Sequence, residues 1–359
     1  MIILIVVPVM LRVIGAVCSK TDRKGLFCAA FAAALFCVTG LGTLDGLIGA
    51  DAEKYSLLVP AIGGIGFDAL GNIGASPAYL LIMKICSAFS TESFVFPLVI
   101  ACIQTALAVY AVFNRCSSPY SGAAVLTFCF IPAYFAGSAA FTAALIAVIA
   151  SGYIEEQRFF RFAALMFAAA CFDMSALLLI PVCAVMFFGN IVIATAVPVI
   201  LAVLAALFPE AVTAVFGFLG ADRCTTADMP VACAVIACAA AASALLIYKM
   251  LANRSGDHER LVPAIVCGAA FSVVTVSEPE LFAFTQMLLM MSAVVLAPEA
   301  FDTGEKFVGI VFPEKRETSQ TVFLIVCAAA ETAICAYLVL GNVFGSDVFE
   351  TSFLAGVQL

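Results

Sequence analysis

The sequence predicts an all-α polytopic membrane protein that crosses the bilayer with about 12 transmembrane helices. Its composition is 65% hydrophobic and only 11% charged, whereas soluble domains carry about 25% charged residues. The apolar residues also form runs of roughly 15–20 residues between short polar turns, which suits helices that cross a membrane. We therefore expect a single integral-membrane domain over residues 1–359.

The basic residues orient the predicted spans, because Lys and Arg accumulate in cytoplasmic loops. When Lys20, Arg23 and Lys24 are placed inside, most of the sixteen basic residues fall inside as well, and both termini lie outside. The predicted spans are 2–18, 26–44, 94–113, 120–137, 139–154, 160–173, 175–190, 191–208, 229–248, 261–277, 281–298 and 322–341.

The largest predicted loop, 45–92, then lies on the extracytoplasmic face. Within it, the apolar segment 76–89 is only about 14 residues long and carries Lys84 in its middle. Because this segment is too short to cross the bilayer, we expect an interfacial or re-entrant helix. The glycine-rich stretch 61–74 is typical of a loop that covers a substrate, so chemistry is expected on the outer face.

Several classes of function are excluded by motifs that the sequence lacks. It contains no CxxC pair, Walker loop, dinucleotide-binding fingerprint or HExxH motif, so soluble-enzyme chemistry, a cofactor and a motif-based metal site are not expected. Most of the fifteen cysteines lie inside apolar runs and are interpreted as small hydrophobic residues. No basic patch is present, so no nucleic-acid partner is expected.

Three charged residues are candidates for function, each with a simpler alternative. Asp51 belongs to an acidic outer cluster that suits a general base or a divalent-cation ligand, or else a solvated loop. Asp173 lies between two apolar runs. It is either a group that lines a cavity or a helix N-cap that accepts the Ser175 or Ala176 amide. Lys84 either attracts phosphate groups or extends its amine to the membrane surface.

The order of several short motifs resembles the EpsG-type, Wzy-like exopolysaccharide polymerases. Within the core hairpin 139–190, the matching residues are Tyr153-Ile154, Phe172, Ser175-Ala176-Leu177 and Pro181. Upstream, Asp51 and Tyr55 resemble the family's Asp-x-x-x-Tyr signature, and Pro77 with Tyr79 resembles its Glu-Pro-x-Tyr segment. The chain departs from the pattern where the family has Arg-Gln, His and Glu, at positions held here by Ala139-Ala140, Asp173 and Ser76.

The resemblance implies a membrane glycosyltransferase of a bacterial inner membrane that joins lipid-diphosphate-linked oligosaccharide units on its outer face. Asp51 and Asp173 are the predicted catalytic residues, and a divalent cation bridged between them is an alternative to the missing family cations. The predicted substrate-binding residues are Lys54, Lys84 and Arg223 for the diphosphate, and Tyr55 and Tyr79 for sugar.

Membrane lipid and other polysaccharide-assembly proteins are the remaining expected partners. Two other classes of function stay open at this point: a non-catalytic subunit of a polysaccharide assembly or export system, and a transporter or flippase that uses Asp173 and Glu331.

Overall fold

The structure is a computed structural model, and its described part is entirely helical, without a strand. It describes residues 2–44, 58–59, 61–64, 76–90, 92, 94–130, 139–188, 261–275, 279–312, 318–323, 325–327 and 329–330. The helical fold class is thus confirmed over these residues, and the predicted spans 191–208 and 229–248 lie outside them.

The principal helices follow the apolar runs of the sequence. In chain order they are α1 Ile2–Thr21, α2 Lys24–Leu44, α3 Pro77–Phe89, α4 Val95–Arg115, α5 Pro119–Val125, α6 Ala139–Glu155, α7 Phe159–Ala170, α8 Leu179–Phe188, α9 Val262–Thr275 and α10 Pro279–Val311. A π-helical turn, Leu126–Phe130, continues α5, and a 3₁₀ turn, Met174–Leu178, precedes α8.

Helix α6 is the centre of the bundle. It packs against α4, α7 and α10, and most of its side chains are buried. This burial follows from its sequence, AAFTAALIAVIASGYIE, which is apolar on all sides and has no polar face to turn outward. The main hydrophobic core forms around α6 from residues of α1, α2, α4, α7, α8, α9 and α10.

Helix α3 packs in a separate hydrophobic cluster, which we call the α3 cluster. Its buried members are Val59, Ile62, Tyr79, Leu80, Met83, Cys86, Phe96 and Ile100. It joins α3, the helical residues 58–59 and 61–64, and the first two turns of α4. The predicted helix at 76–89 therefore exists, and its partner is the beginning of α4.

The bundle has two distinct ends, named here for what they contain. At the α3 end, Tyr79 packs against Phe96 near the start of α4 and against Phe172 just beyond α7. At the Arg115 end, Arg115 pairs with Glu155 of α6 at 2.6 Å. The turn between α1 and α2 lies at this same end, because the Tyr120 hydroxyl donates to the Cys18 carbonyl at 3.5 Å.

Two described helices are long and apolar enough to cross a membrane, Val95–Arg115 and the stretch Phe284–Val311 of α10. Shorter apolar helical stretches include Val6–Ser19, Lys24–Gly40 and Ala139–Glu155. The sequence places the end of one span at Pro298, but α10 continues through that proline to Val311. Its packing against α5, α6 and α9 compensates for the one hydrogen bond that an internal proline removes.

Candidate functional site at the α3 end

The aromatic centre of the α3 end is Tyr79, whose side chain is only 1% exposed. Its ring meets Phe96 edge-on, with the centroids 5.4 Å apart, and Phe172 edge-on at 5.9 Å. These are favourable aromatic geometries. Tyr79 therefore presents almost no free surface to a sugar in this structure, and its contacts are those of a residue that holds α3 against α4 and the end of α7.

Buried polar groups continue from Tyr79 into the bundle. Gln104 of α4 donates its side-chain Nε2–H to Thr142 Oγ1 of α6 at 2.9 Å. Thr142 Oγ1 in turn lies 3.4 Å from the Tyr79 hydroxyl, which makes this the weaker of the two contacts. Gln104 and Thr142 are both fully buried, so this network joins α3, α4 and α6 inside an otherwise apolar region.

Asp173 lies at the N-cap of the 3₁₀ turn that precedes α8. Its Oδ1 accepts the Ser175 amide at 2.9 Å and the Ser175 hydroxyl at 2.6 Å. The predicted capping role is therefore confirmed. Within the part of the chain that the structure describes, no Lys or Arg pairs with this partly buried carboxylate.

A backbone hydrogen bond connects α3 to the turn that carries Asp173. The Ala78 amide donates to the Cys171 carbonyl at 2.8 Å, two residues before Asp173. The start of α3 and the Asp173 turn thus form one continuous unit. The aromatic contact between Tyr79 and Phe172 reinforces it.

Lys84 is the one basic residue at the α3 end for which the structure describes contacts. Its ammonium donates to the Ile62 and Gly63 carbonyls, both at 3.0 Å. A cation bound to carbonyls at the end of a helical turn is a favourable arrangement. Lys84 therefore connects the residues at 58–64 to α3, and its predicted role in attracting phosphate stays a prediction.

Several predicted site residues lie outside the described residues, namely Asp51, Lys54, Tyr55 and Arg223. The positions where the resemblance expects Arg-Gln and His are described. Ala139 and Ala140 begin α6, and Ala139 packs against the α3 cluster. Ala139 and Ala140 are distant in sequence from Asp173, and all three lie at the α3 end.

Gln104 and Thr142 were not among the residues that sequence reasoning selected. The available signal was the few polar side chains within two long apolar runs, namely Gln104 with Thr105 in IACIQTALAV and Thr142 in AAFTAALIAV. Such residues in a membrane helix usually face other helices. Elsewhere, no group of three His, Cys, Asp or Glu residues that could hold a metal is found among the described residues.

The chain matches the model of a known protein family. The model of the EpsG family matches residues 27–295, which is well over half of the chain and includes every described residue of the α3 end named above. No curated protein and no solved structure matches the chain.

Proposed function

The chain belongs to the EpsG family, and from this premise we propose that it is a polysaccharide polymerase-like membrane glycosyltransferase. It would join lipid-diphosphate-linked oligosaccharide units at the α3 end of the bundle. The observation that carries the proposal is the family match, which extends over the described helices from α2 to the middle of α10. The family is consistent with polysaccharide biosynthesis and with a membrane protein.

The distribution of basic residues supports an extracytoplasmic α3 end. At the opposite end, the turns and the adjoining helix ends carry Arg23, Lys24, Arg115, Arg158 and Arg161. Membrane proteins concentrate Lys and Arg in cytoplasmic loops, so the Arg115 end suits the cytoplasm. The α3 end would then face outward, where a bacterial inner membrane presents lipid-linked oligosaccharides for polymerisation.

The chemistry requires a base for the acceptor and cations for the diphosphate leaving group. We assign the base to Asp51 and place Asp173 in the cavity wall, where its carboxylate has no basic partner among the described residues. Lys54, Lys84 and Arg223 would attract the diphosphate, and Tyr55 would contact sugar. Because Tyr79 is buried, we assign it to positioning α3 and not to direct sugar contact.

The first test is to delete the gene in its host and measure the length of the surface polysaccharide. We expect single repeat units to accumulate on lipid and long polymer to be lost. Asp51→Asn should fail to restore polymer while the amount of protein in the membrane stays normal. Asp22→Asn is the matched control, because Asp22 lies in the turn at the Arg115 end and its φ of 51° suits Asn equally well. Unchanged polymer after deletion would remove the proposal.

A non-catalytic subunit of a polysaccharide-assembly system is the second candidate. It is favoured by Ala139, Ala140 and Asp173, which occupy the positions where the resemblance expects Arg, Gln and His. The double variant Asp51→Asn, Asp173→Asn separates the two candidates. If deletion shortens the polymer but this double variant restores full length, the chain supports a reaction that another protein catalyses.

A further inference from the structure

We propose that α3 is a re-entrant helix whose first turn lies near the middle of the membrane, where Thr142 and Gln104 hold it as positioning residues. Its depth is argued from the structure alone. The positioning role rests on the proposed function, since it concerns the site that carries out the reaction.

The first measure of depth comes from α4. This helix has 21 residues, or ~31 Å at 1.5 Å per residue, which matches a hydrocarbon core of about 30 Å. Gln104 lies nine residues after Val95, ~14 Å into the helix, and its amide reaches the Tyr79 hydroxyl through Thr142. Tyr79 thus contacts Phe96 in the first turn of α4 and also reaches, through Thr142, the level of Gln104 more than two turns farther along, so its end of α3 points into the bundle.

The second measure of depth comes from α7 and is counted from the Arg115 end of the bundle. Helix α7 starts at Phe159, next to the turn of the Arg115 end, and its 12 residues extend ~18 Å. Cys171 follows directly, and its carbonyl accepts the Ala78 amide at 2.8 Å. The first turn of α3, bonded to Cys171, is therefore about 18 Å from the Arg115 end, and the polar network that its Tyr79 joins extends to Gln104, about 14 Å from the start of α4.

The other end of α3 returns to the level where α4 begins. Ser90 Oγ accepts the Glu92 amide at 3.1 Å, and the Glu92 carbonyl accepts the Val95 amide at 3.3 Å, so the end of α3 lies close to the start of α4. Lys84, in the second turn of α3, binds the Ile62 and Gly63 carbonyls, so the residues at 58–64 lie beside the returning helix. This arrangement describes a segment that enters and leaves on the same side.

The polar network explains how α3 keeps this depth. Water is scarce in the middle of a bilayer, so a hydroxyl or amide that loses its protein partner there is not readily satisfied. The Gln104–Thr142 bond at 2.9 Å fixes the Thr142 hydroxyl, which the Tyr79 hydroxyl then meets. Because Ala78 is bonded to Cys171, a displacement of α3 would move the Asp173 turn as well.

Cross-linking in native membranes tests, without reference to activity, whether the first turn of α3 lies against the Asp173 turn, as the re-entrant placement requires. Residues joined by a backbone hydrogen bond have Cα atoms about 5–6 Å apart, within reach of a disulfide. In a full-length chain that keeps Cys171 as its sole native cysteine, Ala78→Cys should form a disulfide with it when copper phenanthroline and oxygen oxidise the two thiols. Ala88→Cys, at the far end of α3, is the control that should not cross-link.

Substitutions in the network test the positioning role. Thr142→Val and Tyr79→Phe keep side-chain shape and remove one hydroxyl, and each should slow the Ala78→Cys cross-link by about threefold. Thr142→Ser should restore the rate. Thr127→Val is the matched control, because that buried hydroxyl donates to the Ala123 and Ala124 carbonyls of its own helical segment. In the host, Thr142→Val should shorten the polymer, whereas Thr142→Ser and Thr127→Val should not.

The outcomes separate this inference from the proposed function. Absence of the Ala78→Cys cross-link in the unaltered network overturns the re-entrant placement, whatever the protein does. If gene deletion shortens the polymer but Thr142→Val slows cross-linking and leaves polymer length normal, the positioning role is overturned. If gene deletion has no effect on polymer, the proposed function and the positioning role fail together, and the cross-link still tests whether the first turn of α3 lies against the Asp173 turn.

Discussion

The two ends of the bundle satisfy their polar groups in different ways. At the Arg115 end, a cation and an anion compensate each other at 2.6 Å, with their side chains 17% and 15% exposed. At the α3 end, neutral side chains bond to one another, while the Asp173 carboxylate bonds only to Ser175 among the contacts the structure describes. The Arg115 end thus balances a charge against a charge, whereas the described contacts of Asp173 are those of a helix cap. Breaking each arrangement should therefore have a different cost.

The largest effect is expected from breaking the ion pair of the Arg115 end. Arg115→Met leaves the mostly buried Glu155 without its cation, and we expect a loss of about 3 kcal/mol in the free energy of unfolding. The double variant with Glu155→Met should recover most of that loss, because no uncompensated charge remains. Thermal unfolding in detergent measures both.

Arg158→Ala is the control for this ion pair. Its pair with Glu156 is about half exposed, at 52% and 49%, so a change of no more than about 0.5 kcal/mol is expected. If Arg158→Ala and Arg115→Met lower the free energy of unfolding equally, burial of the Arg115 pair contributes nothing to stability.

A slightly smaller effect is expected from Gly152, which makes room for the same ion pair. A Cβ at this position would lie 2.6 Å from Arg115 Cζ, so Gly152→Ala forces the guanidinium away from Glu155. We expect the free energy of unfolding of this variant to be lower by about 2 kcal/mol, as at other overpacked sites. Gly25→Ala, where a Cβ meets nothing within 4 Å, should be neutral or slightly stabilising. Equal unfolding temperatures for the two variants would contradict the close approach.

Asp173 allows the capping role and the charge to be separated at the α3 end. Asp173→Ala removes the cap and should cost about 1 kcal/mol of stability. Asp173→Asn keeps an oxygen for the Ser175 amide and should leave stability nearly unchanged, yet it removes the charge and should lower the yield of long polymer. The measurements are unfolding temperature and polysaccharide length. Full-length polymer from the Asn variant would leave Asp173 with a capping role alone.

The smallest effect is expected from Lys84. Lys84→Gln removes the charge and keeps N–H donors for the Ile62 and Gly63 carbonyls, whereas Lys84→Met removes both. Gln should therefore preserve stability, and Met should lower it by about 1 kcal/mol. If the charge also attracts a diphosphate, the Gln variant makes polymer a few-fold more slowly at a normal protein level. Equal polymerisation rates for Gln and wild type would limit Lys84 to its structural bonds.

Local features of the sequence predicted the features of the fold that depend on neighbouring residues. The helix expected within 76–89 and the N-cap at Asp173 both followed from their own segments, because an apolar run and a capping aspartate act over a few residues. The exception is α10, where Pro298 suggested an end that packing against three other helices overrides. Capping and hydrophobicity are local properties, so they can be predicted before the helices meet.

The pairing of distant polar residues depends on helix rotation and register, which the apolar runs leave open. Helix α6 is apolar on every side, so its sequence does not indicate that Thr142 faces Gln104 and Tyr79, or that Gly152 and Glu155 face Arg115. The composition alone already required a membrane-type helical bundle, because such a chain cannot cover its apolar surface in water. Helix packing then determines which few polar groups meet inside the bundle, because each such contact depends on how a whole helix is positioned against its neighbours.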